Sequence, residues 1–256
     1  MFDDGLDGKY AGYWHMNESV TPAGDLDRGK LPDVSGYFNT GVLRGGAQVA
    51  VVNDGPVGRA LTLEGIDDRV EVAASPTLTP QQGITLDFWI RPTVDPDCDA
   101  NNNYRVVLAK GGIDGAYSVV LEDSPALHIR FGSDLAHGLV TPPLPLAQWT
   151  HVSCEWDGPS GHAGCWYDDQ PVTQAQLATG TLPSDSSPLY IGARGARTAC
   201  PNGDGAFAGQ LDEVAISRVA RRLGTPVPPD PSGDAGVGSG DDAGTDLPSA
   251  PGGCCA

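Results

Sequence analysis

Basic residues are scarce in this chain. Lysine and arginine number 15 against 33 aspartates and glutamates in 256 residues, a formal charge of −18. Phosphate recognition needs clustered Lys and Arg, so the deficit argues against nucleic acids and anionic membranes as partners. Cations and neutral polymers are the company such a charge favours. No apolar run approaches the roughly 20 residues of a membrane helix, so no membrane insertion is expected of this sequence. The opening Met1-Phe-Asp-Asp-Gly-Leu-Asp-Gly has neither a basic n-region nor an apolar h-region, and no signal peptide is visible in it. Also missing are Cys-x-x-Cys pairs, His-x-x-His or zincin spacings, and a nucleophile-elbow context around Ser153-Cys154. Those gaps remove the common zinc and serine-nucleophile chemistries.

Turn chemistry, by contrast, is abundant. The 35 Gly and 22 Pro favour a turn-rich β architecture without long helices. The most informative stretch runs from Gly58 to Val72: Leu61 and Leu63 alternate with Thr62 and Glu64, then Val70 and Val72 with Arg69 and Glu71. Two half-buried strands around Gly65-Ile-Asp-Asp predict a β-hairpin with one wet face. In Ile84-Thr-Leu-Asp-Phe-Trp-Ile-Arg, Ile84, Leu86, Phe88 and Ile90 share one face and Thr85, Asp87, Trp89 and Arg91 the other. Further strands are expected over 117–121, 127–131, 150–156, 164–168 and 189–192. With no fixed-period repeat, they argue for a single sandwich or barrel.

Leu211 and Val214 lie three apart in a strand that otherwise alternates, which predicts a β-bulge at Asp212-Glu213. Arg218-Val-Ala-Arg-Arg-Leu is expected to add one helical turn, stopped by Gly224 and Pro226. From Gly224 onward the last 33 residues hold eight Gly, six Pro and five Asp, with no aromatic, Lys, Arg or Glu. Such a segment cannot bury enough apolar area to offset its ordering entropy. The expected organisation is therefore a β domain over 1–223 and a disordered tail over 224–256.

Six cysteines without metal-ligand spacing point to disulfides, and hence to an oxidising compartment and a secreted or cell-surface location. Cys154 and Cys165 flank Asp157-Gly-Pro-Ser-Gly-His162, and a symmetric hairpin would set them opposite each other, in reach of a bridge. Cys98 and Cys200, both in polar loops, make a second pair by elimination. Adjacent Cys254 and Cys255 are assigned tag or intermolecular roles.

Several motifs, in order along the chain, resemble those of laminin-G-like domains of the bacterial concanavalin A-like type. Gly12-Tyr-Trp-His-Met-Asn-Glu is similar to the family's opening strand, and Pro32-Asp-Val-Ser-Gly-Tyr-Phe-Asn-Thr-Gly to its first loop. The tract at 58–72, the strand at Ile84, Ala109-Lys-Gly-Gly, Gln148-Trp-Thr-His-Val and Phe207-x-Gly-x-Leu-Asp-Glu-Val-x-Ile follow. The resemblance spans residues 13–223 and implies an all-β fold: two antiparallel sheets packed as a jelly-roll sandwich. The terminal Gly252-Gly-Cys-Cys-Ala resembles the start of a myxobacterial surface-sorting tag.

This fold hosts lectins, adhesion modules, glycosidases and lyases, so site residues must decide among them. A glycosidase needs two carboxylates facing each other across a sugar. The Glu-x-Asp-x-x-Glu run of laminarinase-like relatives is absent, and the adjacent pairs Asp67-Asp68 and Asp212-Glu213 read as turn or solvated residues. No catalytic residue is assigned. The resemblance implies a structural Ca2+ ion held by Asp33, Asn39 and Asp212, with carbonyls near Gly36 and Gln210. The competing reading has Asp33 and Asn39 stabilise a turn through side-chain to backbone bonds. The sequence departs from the family at Tyr37-Phe38. Asp95-Pro-Asp-Cys-Asp-Ala fails as an EF-hand, because Ala100 replaces the turn glycine and Val106 the bidentate Glu, and reads as a polar loop. For a ligand, Trp89, Tyr37 and Trp166 are the candidate stacking platforms. The expectation is a non-catalytic binding or adhesion module for a polysaccharide or a glycoprotein glycan. A glycoside hydrolase or lyase of the same fold, or a ligand-free spacer, are the alternatives.

Overall fold

Alternating apolar side chains give each strand one face to bury, and the chain buries them between two sheets. The computed structural model describes residues 10–17, 29–52, 55–56, 58–93, 104–112, 114–122, 125–132, 138–194 and 205–222. These hold 17 strands, numbered in chain order, and a single 3-10 turn at Pro76–Leu78. Sheet I runs in the order β14 (Gln170–Gln176), β13 (His162–Tyr167), β12 (Thr150–Asp157), β7 (Gly83–Pro92), β17 (Ala208–Ser217), β5 (Arg59–Glu64) and β4 (Gln48–Val51). Strand β1 (Tyr10–Trp14) joins it by pairing with β17. Sheet II runs β11 (Gly138–Pro143), β10 (Ala126–Phe131), β9 (Tyr117–Leu121), β8 (Arg105–Lys110), β15 (Leu189–Ile191), β6 (Arg69–Val72), β3 (Gly41–Arg44) and β2 (Lys30–Leu31). The short β16 (Gly205–Ala206) pairs with β8 in parallel, whereas the other pairings described are antiparallel. Among the described residues no helix is long and apolar enough to cross a membrane.

The inward faces meet in one apolar core. Sheet I supplies Ile84, Leu86, Phe88, Ile90, Val152, Trp156, Leu211, Val214 and Ile216, and sheet II supplies Val70, Val72, Val119, Leu127, Ile129, Leu189 and Ile191. Cys154 and Cys165 are directly opposed on β12 and β13 and joined by a disulfide in that core. The described residues all fall within one compact unit. The Cys98–Cys200 pair, Cys254, Cys255, the loop beginning at Asp95 and the tail from Gly224 lie outside the described residues.

The tract at 58–72 is not a hairpin. Strand β5 pairs with β4 and β17 in sheet I, whereas β6 pairs with β3 and β15 in sheet II. Both strands carry an apolar face, and alternation alone cannot say whether two such strands lie side by side or face to face. Here Leu61 and Leu63 face Val70 and Val72 from opposite layers, and residues 65–68 form the arch between the sheets. Asp68 fixes the arch. Its buried carboxylate accepts the Glu64 N–H at 2.7 Å and also the N–H of Gly46, before β4. Gly192 runs beneath, where a Cβ would come within 3.0 Å of the Asp68 carbonyl oxygen.

The expected bulge is present, as the register shift between Asp212 and Ala215 opposite β7. The expected helical turn after β17 is not. The N–H groups of Arg221 and Arg222 donate to the carboxylate of Glu155, fully buried on β12, and Thr85 Oγ1 donates to the Val219 carbonyl at 2.7 Å. Side chains of sheet I thus take the hydrogen-bonding groups a helical turn would have used, and residues 218–222 lie as a strap across the outer face.

Replacing Asp68 with Ala is expected to lower unfolding stability by about 2 kcal/mol, because two backbone donors lose a charged acceptor. Urea denaturation checks this, and a variant as stable as the wild type would remove Asp68 from the role of arch staple.

Candidate functional site

The outward positions of sheet I carry a cluster of polar and aromatic side chains. On β7 they are Thr85, Asp87, Trp89 and Arg91, and on β12 His151, Ser153 and Glu155, with Trp89 opposite His151. The two rings lie 5.1 Å apart at an interplanar angle of 34°. His151 Nε2 is 2.7 Å from Asp87 Oδ1, a diagonal contact across the two strands. Burial opposes charge on His151, but the hydrogen bond and charge of Asp87, helped by Asp169, hold its pKa above the ordinary histidine value.

The bulge in β17 builds the other half. One extra residue between Asp212 and Ala215 puts Glu213 at φ 51, a left-handed conformation uncommon outside glycine. Trp14 is in the core, so its neighbours Tyr13 and His15 point outward, and Glu213 reaches both. Tyr13 donates its hydroxyl to Glu213 Oε2, His15 Nδ1 lies 2.8 Å from the same oxygen, and Asn17 Nδ2 donates to Oε1 at 3.3 Å. Burial, then Glu213, pushes the Tyr13 hydroxyl far above its usual pKa. The Tyr13 ring is 4.1 Å from His15 and stacks on Tyr10 at 5.2 Å.

Register sets the two halves against each other. Ala215 pairs with Asp87 on one side and with Tyr13 on the other. Tyr13 and Asp87 therefore stand two strand spacings apart, about 10 Å, over a methyl-sized floor. Trp89, His151 and Asp87 line one wall, and Tyr13, His15 and Glu213 the other. The strap over 218–222 closes one end. Arg222 lies over the Trp166 ring at 5.5 Å and reaches the Asp169 carboxylate, while Arg221 lies over Tyr10 at 5.2 Å.

Of the residues predicted from sequence to bind ligand, the structure sets Trp89 in this trough. Trp166 is buried beneath a guanidinium, and Tyr37 is held by Arg218, which donates to its hydroxyl at 2.6 Å and lies over its ring. Of the five residues expected to hold calcium, Asp33 and Asn39 are taken up by hydrogen bonds within the protein. Asp33 Oδ1 accepts the N–H groups of Tyr13 and Ser35, and Oδ2 accepts the Ser35 hydroxyl and the Asn39 N–H. Asn39 Nδ2 donates to the Ala11 carbonyl and to Thr77 Oγ1, so both side chains staple a turn that includes Gly36. Gln210 faces Thr62 and Arg91 on sheet I, and buried Asp212 Oδ1 accepts the Glu213 N–H. A carboxylate already accepting four donors does not fit a cation in this conformation. Among the described residues, no group of three or more His, Cys, Asp or Glu is placed to hold a metal ion.

Sequence reasoning missed Asp87, His151, Tyr13, His15 and Glu213. Their outward phase could be read from alternation, and the slip after Leu211 marked Glu213. The register that brings four strands' residues to one place could not.

The family model that matches residues 64–223 is a laminin-G type described as the concanavalin A-like lectin/glucanases superfamily. No curated protein matches the chain. Among solved structures it is similar to the binding domain of Paraclostridial Mosquitocidal Protein 1, with TM-score 0.62 and 15% identity over 84% of this chain and 50% of that one. It is also similar to botulinum neurotoxin type C, in a structure whose subject is cell entry through two ganglioside molecules: TM-score 0.59, 11% identity, 85% of this chain and 49% of that one. A third similar structure is domain 4 of AbnA, a GH43 extracellular arabinanase from Geobacillus stearothermophilus, in complex with arabinotriose: TM-score 0.56, 16% identity, 82% of this chain and 92% of that one. The chain thus spans about half the length of the first two. At these identities the likeness is one of fold.

Two measurements test this description. With the Asp33 oxygens committed to protein donors, saturating calcium is expected to leave the melting temperature unchanged, and a rise of several degrees would show the loop rearranged around a cation. For His151, an NMR titration should place the midpoint above the ordinary value of about 6.5. Its stabilising contribution is then complete below that pH and lost as pH rises through the folded-state value. In Asp87→Asn burial dominates and the midpoint should fall; an unmoved midpoint would contradict the pairing.

Proposed function

Because the chain belongs to the concanavalin A-like lectin/glucanases superfamily, we propose that it is a non-catalytic, extracellular carbohydrate-binding module whose glycan lies in the trough on the outer face of sheet I. One observation carries this reading: the partly buried Trp89 ring on the outer face, set against His151 with the Asp87 carboxylate held beside it. A sugar presents an apolar ring face and a rim of hydroxyls. An aromatic platform with a fixed acceptor at its edge matches both, and the carboxylate orientation is settled before the ligand arrives. Tyr13, Glu213 and His15 supply a second set of polar groups for hydroxyls across the Ala215 floor.

The disulfide between Cys154 and Cys165 is the kind kept in an oxidising compartment, which fits secretion or display at a cell surface and adhesion to polysaccharide or glycoprotein glycans there.

A second reading draws on two carboxylates of this face, Asp87 beside Ala215 and Glu213 held by Tyr13 on the other side of Ala215, because a glycosidase needs a carboxylate pair. It is the weaker one, because each is already engaged: Asp87 with His151, and Glu213 with Tyr13, His15 and Asn17. Neither stands open to protonate a leaving group or activate water.

On a glycan array, Trp89→Ala is expected to lose binding by at least tenfold, about 1.4 kcal/mol. Unchanged binding would move the ligand elsewhere on the molecule. In a reducing-sugar assay over the same polysaccharides, no release is expected from the wild type. Release that disappears in Glu213→Gln would make the protein a hydrolase.

A further inference from the structure

The loop before β3 presents an aromatic side chain the fold does not bury. Phe38 is 83% exposed and has φ 58, in the left-handed region that glycine and asparagine tolerate and a bulky residue does not favour. Its surroundings are nevertheless tightly made. Besides the four bonds that Asp33 accepts, the Asn39 carbonyl accepts the Trp14 indole N–H at 3.0 Å, and the Phe38 carbonyl accepts the Thr40 N–H at 2.8 Å. Tyr37, next in sequence, is clamped by Arg218. Core, turn and strap thus over-determine a conformation whose outcome is one ring held in solvent. Strain kept at the surface by rigid neighbours points to what the residue presents.

The loop is continuous with the trough. Val34, itself 47% exposed, donates its N–H to the Tyr13 carbonyl at 2.9 Å, and Tyr13 N–H donates to Asp33 Oδ1 at 2.8 Å. Tyr13 is the residue whose hydroxyl holds Glu213 on the wall away from Trp89. From His151 on β12 across β7 and β17 to β1 is three strand spacings, about 14 Å, and the Phe38 loop continues beyond β1. A single sugar seated at Trp89 leaves the far part of this path uncovered.

We infer that Phe38 is a second, outlying stacking platform of the same binding face, and that the ligand is an extended oligosaccharide or polysaccharide chain laid across the strands from Trp89 past Tyr13, not a single terminal sugar. This rests on the carbohydrate-binding reading above and adds the length and direction of the ligand. Two platforms joined through Tyr13 let the inner one accept any chain that reaches it. The outer one contributes only when the chain is long enough to arrive there, so affinity rises with length until Phe38 is covered.

The test uses the full chain and an array that carries each polysaccharide backbone as a ladder from mono- to hexasaccharide. Wild-type signal is expected to rise with length. Phe38→Ala should cut binding of the longer members about tenfold and leave the shortest bound member unchanged, and Trp89→Ala should remove binding at every length. Phe38→Gly serves as the folding control: it should melt no lower than the wild type, because glycine accepts the positive φ, yet show the same length-selective loss. Phe38 variants that match the wild type at all lengths, or weaken all lengths equally, overturn this inference while loss in Trp89→Ala leaves the carbohydrate-binding reading standing. Trp89→Ala without effect overturns the trough itself, and binding of no glycan at any length overturns both.

Discussion

Strand β17 must serve two neighbours on one edge, and the rest of the binding face depends on how it does so. Its other edge pairs with β7, while along the shared edge Ala208 to Leu211 pair with β5 and Val214 to Ser217 with β1. The switch between partners falls at Asp212-Glu213, where one extra residue enters the strand. Without it, Leu211 and Val214 could not both point into the core. With it, Glu213 adopts a positive φ and turns toward Tyr13 and His15, and Ala215 returns to register opposite Asp87. A packing requirement in the core and a carboxylate on the surface are thus two consequences of one insertion.

The chain's excess of acid is partly spent inside the fold. Asp33, Asp68 and Glu155 are buried and accept backbone N–H groups at a loop, an inter-sheet arch and the strap. In a β-sandwich, segments that leave a sheet lose their ladder partners, and a carboxylate can replace several at once. Fully buried Lys110 does the reverse job, its ammonium donating to the Asp185 and Ser187 carbonyls while burial depresses its pKa. Several motifs that carry the family resemblance, including those holding Asp33, Asp68 and Lys110, are therefore staples of the fold. The residues that line the trough sit in the other motifs of that resemblance, at outward positions of strands whose inward positions are occupied by the core.

Much of the fold was legible. Alternation located the strands at 84–91, 117–121 and 189–192, the slip between Leu211 and Val214 located the bulge, and hairpin symmetry set Cys154 opposite Cys165. Alternation reports which face of a strand is apolar, a local property encoded residue by residue. It does not report the partner, which is why 58–72 reads as a hairpin and is an arch. It also cannot anticipate a distant side chain that outcompetes local bonds, as Glu155 does when it takes the N–H groups of Arg221 and Arg222 from a helical turn.

The site divides in the same way. The sequence by itself determined an acidic all-β chain, the outward phase of Trp89 and the irregularity at Asp212-Glu213, because composition and period are properties of neighbours along the chain. Only the tertiary structure decided that Trp89 meets His151 and Asp87, that Tyr13 and His15 take Glu213, that Arg222 closes over Trp166 and that Asp33 holds a turn. The contacts of Trp89, Tyr13, His15 and Arg222 join residues far apart in the chain, and Asp33 adds the distant Tyr13 N–H to its local turn, so each depends on packing that both sheets set at once.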